Sequence, residues 1–208
     1  MPGEVKTRLA NRIGDGAAAA LYEELVRHAL GVAVASRLAP VELHVASQTQ
    51  HPFFRALAAR HALTRIESQQ GEDLGERMCN ALRSALYTAD FAVLIGTDCP
   101  AMTADYLREA CEILDAGKVV VVGPAEDGGY VLIGARTPEE CLFADIPWGS
   151  ERVLQLTRER LRALKLRYAE LATLWDVDSF EDLRRWQRTA ELLSGSGSNR
   201  KGREGKNP

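Results

Sequence analysis

Two uninterrupted apolar runs dominate the hydrophobic pattern of this sequence, and each is followed by a polar loop. Phe91 to Ile95 leads into Gly96-Thr-Asp-Cys-Pro100, and Lys118 to Val122 leads into Gly123-Pro-Ala-Glu-Asp-Gly-Gly129. Short apolar runs bounded by turn residues are typical of strands that are buried on both faces. The pattern therefore predicts two interior strands, and Tyr130 to Ile133 predicts a third extended segment directly after them.

Helical spacing of apolar residues fills the segments between the predicted strands. One clear case is a helix that contains Leu107, Ala110, Cys111 and Leu114 at helical spacing and ends at Gly117. Other helices are predicted over 17–30, 52–61, 73–89 and 153–164 and from Phe180 onward, and further strands over 41–45, 64–68 and 164–174. Alternating strands and helices predict an α/β fold in which a mostly parallel central sheet is flanked by helices.

Length and composition indicate one globular domain with a tail. The chain has 208 residues, of which 46% are hydrophobic and 26% are charged, the proportions of an ordinary globular protein. From Ser194 onward Gly, Ser, Asn, Lys and Arg dominate, and such a composition forms no core. We therefore expect one domain over 1–193 and a disordered polar and basic tail over 194–208.

Charge and hydropathy exclude several classes of function. The formal net charge is −3, which provides no overall basic field to attract nucleic acid. No apolar run approaches the length of a membrane span, and the first residues lack the apolar core of a signal peptide. We therefore expect a cytoplasmic protein with neither nucleic acid nor a membrane as its partner.

The four cysteines do not predict a metal or disulfide framework. Cys79, Cys99, Cys111 and Cys141 are widely spaced, with no C-x-x-C pair among them. Cys99 directly follows Asp98, so it is either a small buried thiol or a nucleophile, and the residue pattern favours the buried thiol.

Carboxylates follow three of the predicted strands. Asp98 follows the strand that ends near Ile95, Glu126 and Asp127 follow the next, and Asp176 and Asp178 follow the segment that ends near Leu174. The carboxyl ends of parallel strands meet at one edge of a sheet, where ligands bind. Clustered carboxylates repel each other unless a cation neutralises them, and Mg²⁺ binds carboxylates together with substrate phosphates. The alternative for Asp98 is that it only shapes the turn before Pro100.

Two loops offer candidate ligands for a nucleotide. Lys6 and Arg8 lie in a predicted loop, where they are either phosphate ligands or solvated cations. Gln69, Gly71 and Glu72 precede a predicted helix and are candidates for contact with the ligand. Asp73 and Glu76, by contrast, have the spacing of a helix cap.

Gly128 and Gly129 follow Asp127 directly. Adjacent glycines permit a close approach between the backbone and a ligand, but they are equally typical of a hairpin turn.

Several ordered motifs carry a resemblance to a known family. They are Pro2-Gly-Glu-Val-Lys-Thr-Arg-Leu9, Gly71-Glu-Asp-Leu-Gly-Glu-Arg-Met78, Gly96-Thr-Asp-Cys-Pro100, Glu126-Asp-Gly-Gly-Tyr-Val-Leu-Ile-Gly134, Ile146-Pro-Trp-Gly-Ser150 and Asp176-Val-Asp-Ser-Phe-Glu-Asp-Leu183. Up to about Leu193 the chain resembles the bacterial GT-A-type glycosyltransferases of the radical-SAM/selenodomain-associated transferase 1 family. The wider superfamily of nucleotide-diphospho-sugar transferases also contains nucleotidyltransferases.

The resemblance implies a Rossmann-like GT-A fold and specific roles for site residues. Asp98 and Asp178 match the positions of metal ligands, so the implied cofactor is Mg²⁺ or Mn²⁺. Asp127 matches the position of a catalytic base, beside the acceptor or sugar loop that contains Gly128 and Gly129. Lys6 and Arg8 match the basic loop that faces the phosphates of the donor.

One feature departs from the family pattern. Family members have an apolar strand before the Pro-Gly loop, whereas here Met1 directly precedes Pro2. We expect that the true start lies upstream; the alternative is a chain without the first strand.

The function implied is glycosyl transfer from a nucleotide-diphospho-sugar to a small-molecule acceptor. One alternative is nucleotidyl transfer to a phosphorylated small molecule, which releases pyrophosphate instead of a nucleoside diphosphate. A second alternative, from another class, is a nucleotide-binding protein without catalytic activity.

Overall fold

The computed structural model describes residues 6–46, 49–61, 63–137 and 140–195, and for 140–141 and 190–195 the backbone alone. The helices are α1 (Thr7–Ile13), α2 (Asp15–Ser36), α3 (Pro52–His61), α4 (Leu74–Ala85), α5 (Ala104–Asp115), α6 (Glu140–Phe143), α7 (Val153–Ala163) and α8 (Phe180–Gly195). The strands are β1 (Glu42–Val45), β2 (Arg65–Ser68), β3 (Ala92–Ile95), β4 (Val120–Pro124), β5 (Tyr130–Ala135) and β6 (Tyr168–Glu170).

The larger sheet has the strand order β3-β5-β4-β6. Strand β5 runs antiparallel to both β3 and β4, while β4 and β6 are parallel, so three of the four strands point the same way. The direction of β5 follows from the short connection after β4, since a tight turn can join only antiparallel strands. A separate parallel pair is formed by β1 and β2. The predicted α/β fold with a mostly parallel central sheet is confirmed.

The core explains why the strand sequences are continuously apolar. Val120 and Val122 of β4 face a cluster that also contains residues of α4, α6 and α7, whereas Val121 faces a second cluster with residues of α5. All three valines are at most 1% exposed. Side chains alternate between the two faces of a strand, so a strand covered by helices on both sides needs apolar residues at every position.

The chain divides into two units. The larger is Glu23–Asp176, which contains both sheets, and the smaller combines Met1–Tyr22 with Val177–Pro208. The division falls within α2. Among the described residues of the smaller unit, the buried apolar side chains are Leu9, Ala18, Leu21, Val177 and Leu183. The sequence-based domain over 1–193 stays a prediction.

The structure moves several predicted boundaries. Helix α2 continues to Ser36, and Arg8 lies within α1 rather than in a loop. The strand predicted over 164–174 is reduced to β6, together with an isolated bridge at Leu174. Helix α8 continues to Gly195, and the remainder of the predicted tail, 196–208, lies outside the described residues.

Among the described helices, none has both the length and the apolar character required to cross a membrane.

Candidate functional site

The edge of the large sheet where β3 and β4 end carries the predicted carboxylates of the larger unit. Strand β3 ends at Ile95, and the Gly96 N–H donates to the Val131 carbonyl at 2.9 Å. A Cβ atom on Gly96 would lie 3.2 Å from Asp98 Oδ1, so the Asp98 side chain folds back over this glycine. Asp98 is therefore partly buried at the end of its strand, where the sequence pattern predicts it.

Asp127 and Asp176 form a close carboxylate pair at the same edge. Their nearest ligand oxygens lie within 4.8 Å of one another. Ala125 and Leu174 form a parallel bridge, in which the Glu126 N–H donates to the Leu174 carbonyl at 2.9 Å. Each aspartate lies two residues beyond its bridged residue, and Asp127 stands in the turn that follows the bridge. The register of the bridge thus brings the two side chains together.

Asp176 is not among the site residues that were predicted from the sequence. The sequence does contain it among the carboxylates after Leu174, but the family resemblance implies the metal role for Asp178 instead. Asp176 lies as many positions after Leu174 as Asp127 lies after Ala125, and Leu174 and Ala125 form the bridge. This match identifies Asp176, but it depends on pairing between distant segments.

Cys99 is a buried thiol whose pKa is raised. Its thiol is 1% exposed, and burial is the main cause that raises its pKa from 9.0 to about 11, with smaller contributions from the charges of Asp176 and Asp98. Hydrogen bonds from the backbone of Ala101 and Met102 act in the opposite direction. Both carboxylates therefore act on the same sulfur. Since the thiolate is the nucleophile, Cys99 is not activated for nucleophilic catalysis at neutral pH.

The shifted pKa of Cys99 predicts a loss of stability at alkaline pH. The unfolded thiol ionises near 9.0 and the folded thiol near 11, so the stabilisation is complete below pH 9 and is lost as the pH rises toward 11. Between pH 9 and pH 11 we expect Cys99 to lower the free energy of unfolding by about 1.4 kcal/mol per pH unit. Urea unfolding of the wild type and of Cys99→Ala at pH 8, 9 and 10 measures it. Parallel pH profiles of the two proteins would contradict the prediction.

The turn after β4 is fixed to the start of α7. Gly128 has a φ of +88°, and a Cβ atom there would lie 2.2 Å from the Glu151 carbonyl oxygen. The Gly128 carbonyl accepts a hydrogen bond from Leu154 N–H at 2.8 Å. Asp127 Oδ1 accepts one from Gly129 N–H at 2.8 Å, and the Ala125 N–H donates to the Gly129 carbonyl at 3.0 Å. The two glycines thus form a hairpin turn, and the close approach that Gly128 permits is to the protein's own backbone.

The smaller unit contains the other predicted ligands of phosphate and metal. Lys6 precedes α1 with a left-handed backbone (φ 49°), and its Nζ donates to Asp178 Oδ1 at 2.8 Å. The Lys6 side chain is 9% exposed and that of Asp178 is 45% exposed. Arg8 is exposed on α1.

The loop between β2 and α4 contains the remaining candidates, and each has a structural role. Gln69 binds the end of β1, because its N–H donates to the Val45 carbonyl at 2.8 Å and its Nε2 donates to the His44 carbonyl at 3.2 Å. Gly71 has a φ of +137°, and a Cβ atom there would lie 2.6 Å from Glu76 Cβ. The Glu72 N–H donates to Glu76 Oε2 at 2.8 Å.

The predicted helix cap before α4 is confirmed, since Asp73 Oδ1 accepts from Glu76 N–H at 2.8 Å. A depression next to the same loop is lined by Thr49, Gln50, His51, Pro52 and Ser68. Contact between this loop and a nucleotide stays a prediction.

The carboxylates of the larger unit suit a hard divalent cation. Two oxygens bound to one Mg²⁺ at about 2.1 Å lie at most about 4.2 Å apart. The ligand oxygens of Asp127 and Asp176 lie within 4.8 Å of one another, which is close to that spacing. Both groups offer oxygen ligands, which Mg²⁺ and Mn²⁺ prefer. The donor set therefore fits the kind of metal that the sequence predicts.

Comparison with known proteins gives one family and several similar structures. The family model described as "uncharacterized protein conserved in bacteria (DUF2064)" matches residues 29–150. A proposed nucleotide-diphospho-sugar transferase from Desulfovibrio desulfuricans G20 is 34% identical, with a TM-score of 0.80, and the match covers 92% of this chain and 83% of that one. No protein with a curated description matches the sequence.

Two more distant structures share the fold. A cytidylyltransferase from Leptospira borgpetersenii serovar Hardjo-bovis strain JB197 is 13% identical, with a TM-score of 0.56 over 88% of both chains. CMP:2-keto-3-deoxy-manno-octonic acid synthetase, complexed with CTP, is 12% identical, with a TM-score of 0.56 over 81% of this chain and 88% of that one. At these identities the likeness establishes the Rossmann-like fold alone.

Proposed function

The chain belongs to the DUF2064 family of bacterial proteins, and on that premise we propose that it is a metal-dependent glycosyltransferase that uses a nucleotide-diphospho-sugar. It shares a family with the Desulfovibrio desulfuricans protein, within the superfamily of nucleotide-diphospho-sugar transferases. Its finer placement, in the radical-SAM/selenodomain-associated transferase 1 family, is part of the proposal. The observation that supports a metal-dependent transferase is the convergence of carboxylates where β3 and β4 end.

The proposed metal ligands are Asp98 and Asp178, to which we add Asp176. Asp98 follows β3, Asp127 follows β4, which runs in the same direction, and Asp176 approaches Asp127, so three carboxylates of the larger unit share one edge of the sheet. A bound Mg²⁺ or Mn²⁺ would neutralise the diphosphate of the donor and stabilise it as a leaving group.

The proposed donor ligands come from three parts of the chain: the start of α1, the loop between β2 and α4, and the turn after β4. Lys6 and Arg8 supply positive charge for the phosphates, because cations form strong hydrogen bonds with phosphate oxygens. Gln69, Gly71 and Glu72 are proposed to contact the nucleotide. Gly128 and Gly129 are proposed to position the sugar or the acceptor through the turn that holds Asp127.

Asp127 is the proposed catalytic base. Its side chain is exposed, so an acceptor has access to it, and the Gly129 N–H fixes one carboxylate oxygen. In the transfer the acceptor hydroxyl gives its proton to Asp127 as its oxygen bonds to the sugar carbon, and the nucleoside diphosphate departs with the bonding electrons. The acceptor is a small molecule that bears a hydroxyl group. The cytoplasmic location stays a prediction of the sequence.

The nature of the product tests the proposal. The protein is incubated with a panel of nucleotide-sugars, Mn²⁺ and fractionated small molecules from a bacterial extract. The proposal predicts release of a nucleoside diphosphate. Release of pyrophosphate from a nucleoside triphosphate would instead identify a nucleotidyltransferase, and nucleotide binding without turnover would identify a binding protein.

Replacement of the proposed base gives a sharper result. Asp127→Asn is expected to lower kcat by about 10²- to 10⁴-fold, the usual contribution of a positioned general base. The matched control is Asp115→Asn, which removes a carboxylate from the exposed end of α5. The measurement is the steady-state rate of nucleoside diphosphate release. Equal rates for the two variants would rule out Asp127 as the base.

A further inference from the structure

We propose that Trp148 is a positioning residue, which holds the turn that contains Asp127 in place relative to the start of α4. The inference rests on the proposed function, because Asp127 is the base of that reaction. Trp148 belongs to Ile146-Pro-Trp-Gly-Ser150, a motif to which the proposed function gives no role. Its indole touches no substrate in this proposal and acts through the turn.

The indole ring rests on the first turn of α4. A Cβ atom on Gly75 would lie 2.7 Å from Trp148 Cζ2 and 2.8 Å from Trp148 Nε1. Only a residue without a side chain therefore permits this approach to the helix backbone. Gly75 lies two residues after Asp73, the cap of α4, so the contact is next to the loop that is proposed to contact the nucleotide.

The same ring contacts the residue that follows the turn. The rings of Trp148 and Tyr130 meet at 90°, and their centroids lie 6.3 Å apart, which is a preferred arrangement of aromatic pairs. Tyr130 directly follows Gly129, whose N–H donates to Asp127 Oδ1 at 2.8 Å. Trp148 thus connects the first turn of α4 to the end of the turn that contains Asp127.

The segment that contains Trp148 meets this turn a second time, three residues further along the chain. Glu151 packs against Gly128, where a Cβ atom would lie 2.2 Å from the Glu151 carbonyl oxygen. The intervening chain is itself a tight turn, since the Ser150 N–H donates to the Pro147 carbonyl at 3.2 Å. A displacement of Trp148 is therefore expected to move Glu151 and, with it, the turn.

Packing stability alone does not explain an indole at this position. Trp148 Nε1 is buried, and none of the described residues accepts a hydrogen bond from it. A buried donor without an acceptor lowers the stability of the folded state. A phenylalanine ring would pack against the same apolar cluster without that cost. What the indole adds is its length, which lets one ring contact both Gly75 and Tyr130.

The loop between β2 and α4 has its own attachments to the helix. Arg77 Nε donates to the Gly71 carbonyl at 3.0 Å, and Asn80 Nδ2 donates to the Gln70 carbonyl at 2.9 Å. Loss of the contact between Trp148 and α4 is therefore expected to displace the Asp127 turn and to leave this loop in place. Turnover and donor binding should then respond differently.

The first test is the steady-state rate of nucleoside diphosphate release by Trp148→Phe. We expect kcat to fall by about 10- to 100-fold, as a shift of about 1 Å in a reacting group can cause, while KM for the nucleotide-sugar changes by less than about twofold. Leu161→Val is the control, because it removes volume from the same apolar cluster near the end of α7. Equal kcat values for the two variants would overturn the proposal.

The second test measures hydrogen exchange and requires no turnover. The N–H groups of Ala125 and Leu154 donate to the carbonyls of Gly129 and Gly128 at 3.0 and 2.8 Å, respectively. In Trp148→Phe we expect these two amides to exchange about tenfold faster relative to the amides within β4, which follow the stability of the sheet. A uniform change across all of these amides would indicate a loss of global stability alone and would overturn the positioning role.

The two tests also separate this inference from the proposed function. A wild type that releases no nucleoside diphosphate would overturn the proposed function, and the exchange rates would then decide whether Trp148 holds the turn. An active wild type, together with unchanged exchange of the two amides in Trp148→Phe, would overturn the inference and leave the glycosyltransferase proposal standing.

Discussion

Asp176→Asn is expected to lower turnover by about 10³-fold without lowering the free energy of unfolding in the absence of metal. The loss of turnover follows if Asp176 is a metal ligand. Even the replacement of a residue that only hydrogen-bonds to a metal ligand lowers metal affinity or activity by about 10- to 100-fold. The Asp127 and Asp176 oxygens lie within 4.8 Å of one another, where like charges repel. Removal of one charge relieves about 0.5–1 kcal/mol of that repulsion near the protein surface.

The measurements for Asp176→Asn are the rate of nucleoside diphosphate release and urea unfolding in EDTA. Glu109→Gln serves as the control, because it removes an exposed carboxylate from α5. A stability loss of more than about 1 kcal/mol, with turnover retained, would show that Asp176 is a structural carboxylate.

Gly128→Ala is expected to destabilise the protein by about 3 kcal/mol, which lowers Tm by about 6–12 °C in a chain of this size. The new Cβ atom would lie 2.2 Å from the Glu151 carbonyl oxygen, and the φ of +88° is unfavourable for alanine. Because the obstacle is backbone, no side-chain rotation relieves the clash. The turn must therefore separate from α7, which also displaces Asp127.

The control for Gly128→Ala is Gly117→Ala. Gly117 has a similar φ of +93°, but a Cβ atom there meets nothing within 4 Å. Its replacement is expected to cost about 1 kcal/mol, the price of the left-handed backbone alone. Thermal and urea unfolding of the two variants measure the difference. Equal losses of stability would show that contact with Glu151 does not constrain the turn.

The fold was largely predictable because burial on both faces leaves a local signal. Val120, Val121 and Val122 face opposite core clusters in alternation, so β4 reads as an uninterrupted apolar run. The segment 164–174 is different, because its strand is limited to Tyr168–Glu170, followed by an isolated bridge at Leu174. In residues 164–174 the hydrophobic pattern reflects the burial of a partly irregular segment. The length of the strand therefore cannot be derived from that pattern.

The candidate site was predictable only in part, because its geometry depends on pairing between distant segments. That carboxylates follow the strands is visible in the sequence, whereas the approach of Asp176 to Asp127 depends on the bridge between Ala125 and Leu174. The pairing of Lys6 with Asp178 joins residues 172 positions apart. Residue types thus indicate the candidate ligands, and long-range register determines which of them meet.

The loop that contains Gln69, Gly71 and Glu72 illustrates a different limit. Each of these residues makes a contact that shapes the loop itself, including the crowding of Gly71 against Glu76. A sequence motif does not distinguish residues that bind a ligand from residues that hold the binding loop in place, because both requirements restrict the same positions.

The most direct test of the central claim is a thermal-shift panel of nucleoside diphosphates and nucleotide-sugars, with and without Mn²⁺, on the wild type and Asp98→Ala. A ligand at 100 times its Kd stabilises the native state by about 2.7 kcal/mol, or about 5–10 °C for a chain of this size. We expect such a shift for one nucleotide, dependent on Mn²⁺ and absent in Asp98→Ala. A shift that persists without metal or in Asp98→Ala, or no shift in a cooperatively unfolding wild type, would contradict a metal-dependent nucleotide site at this edge of the sheet.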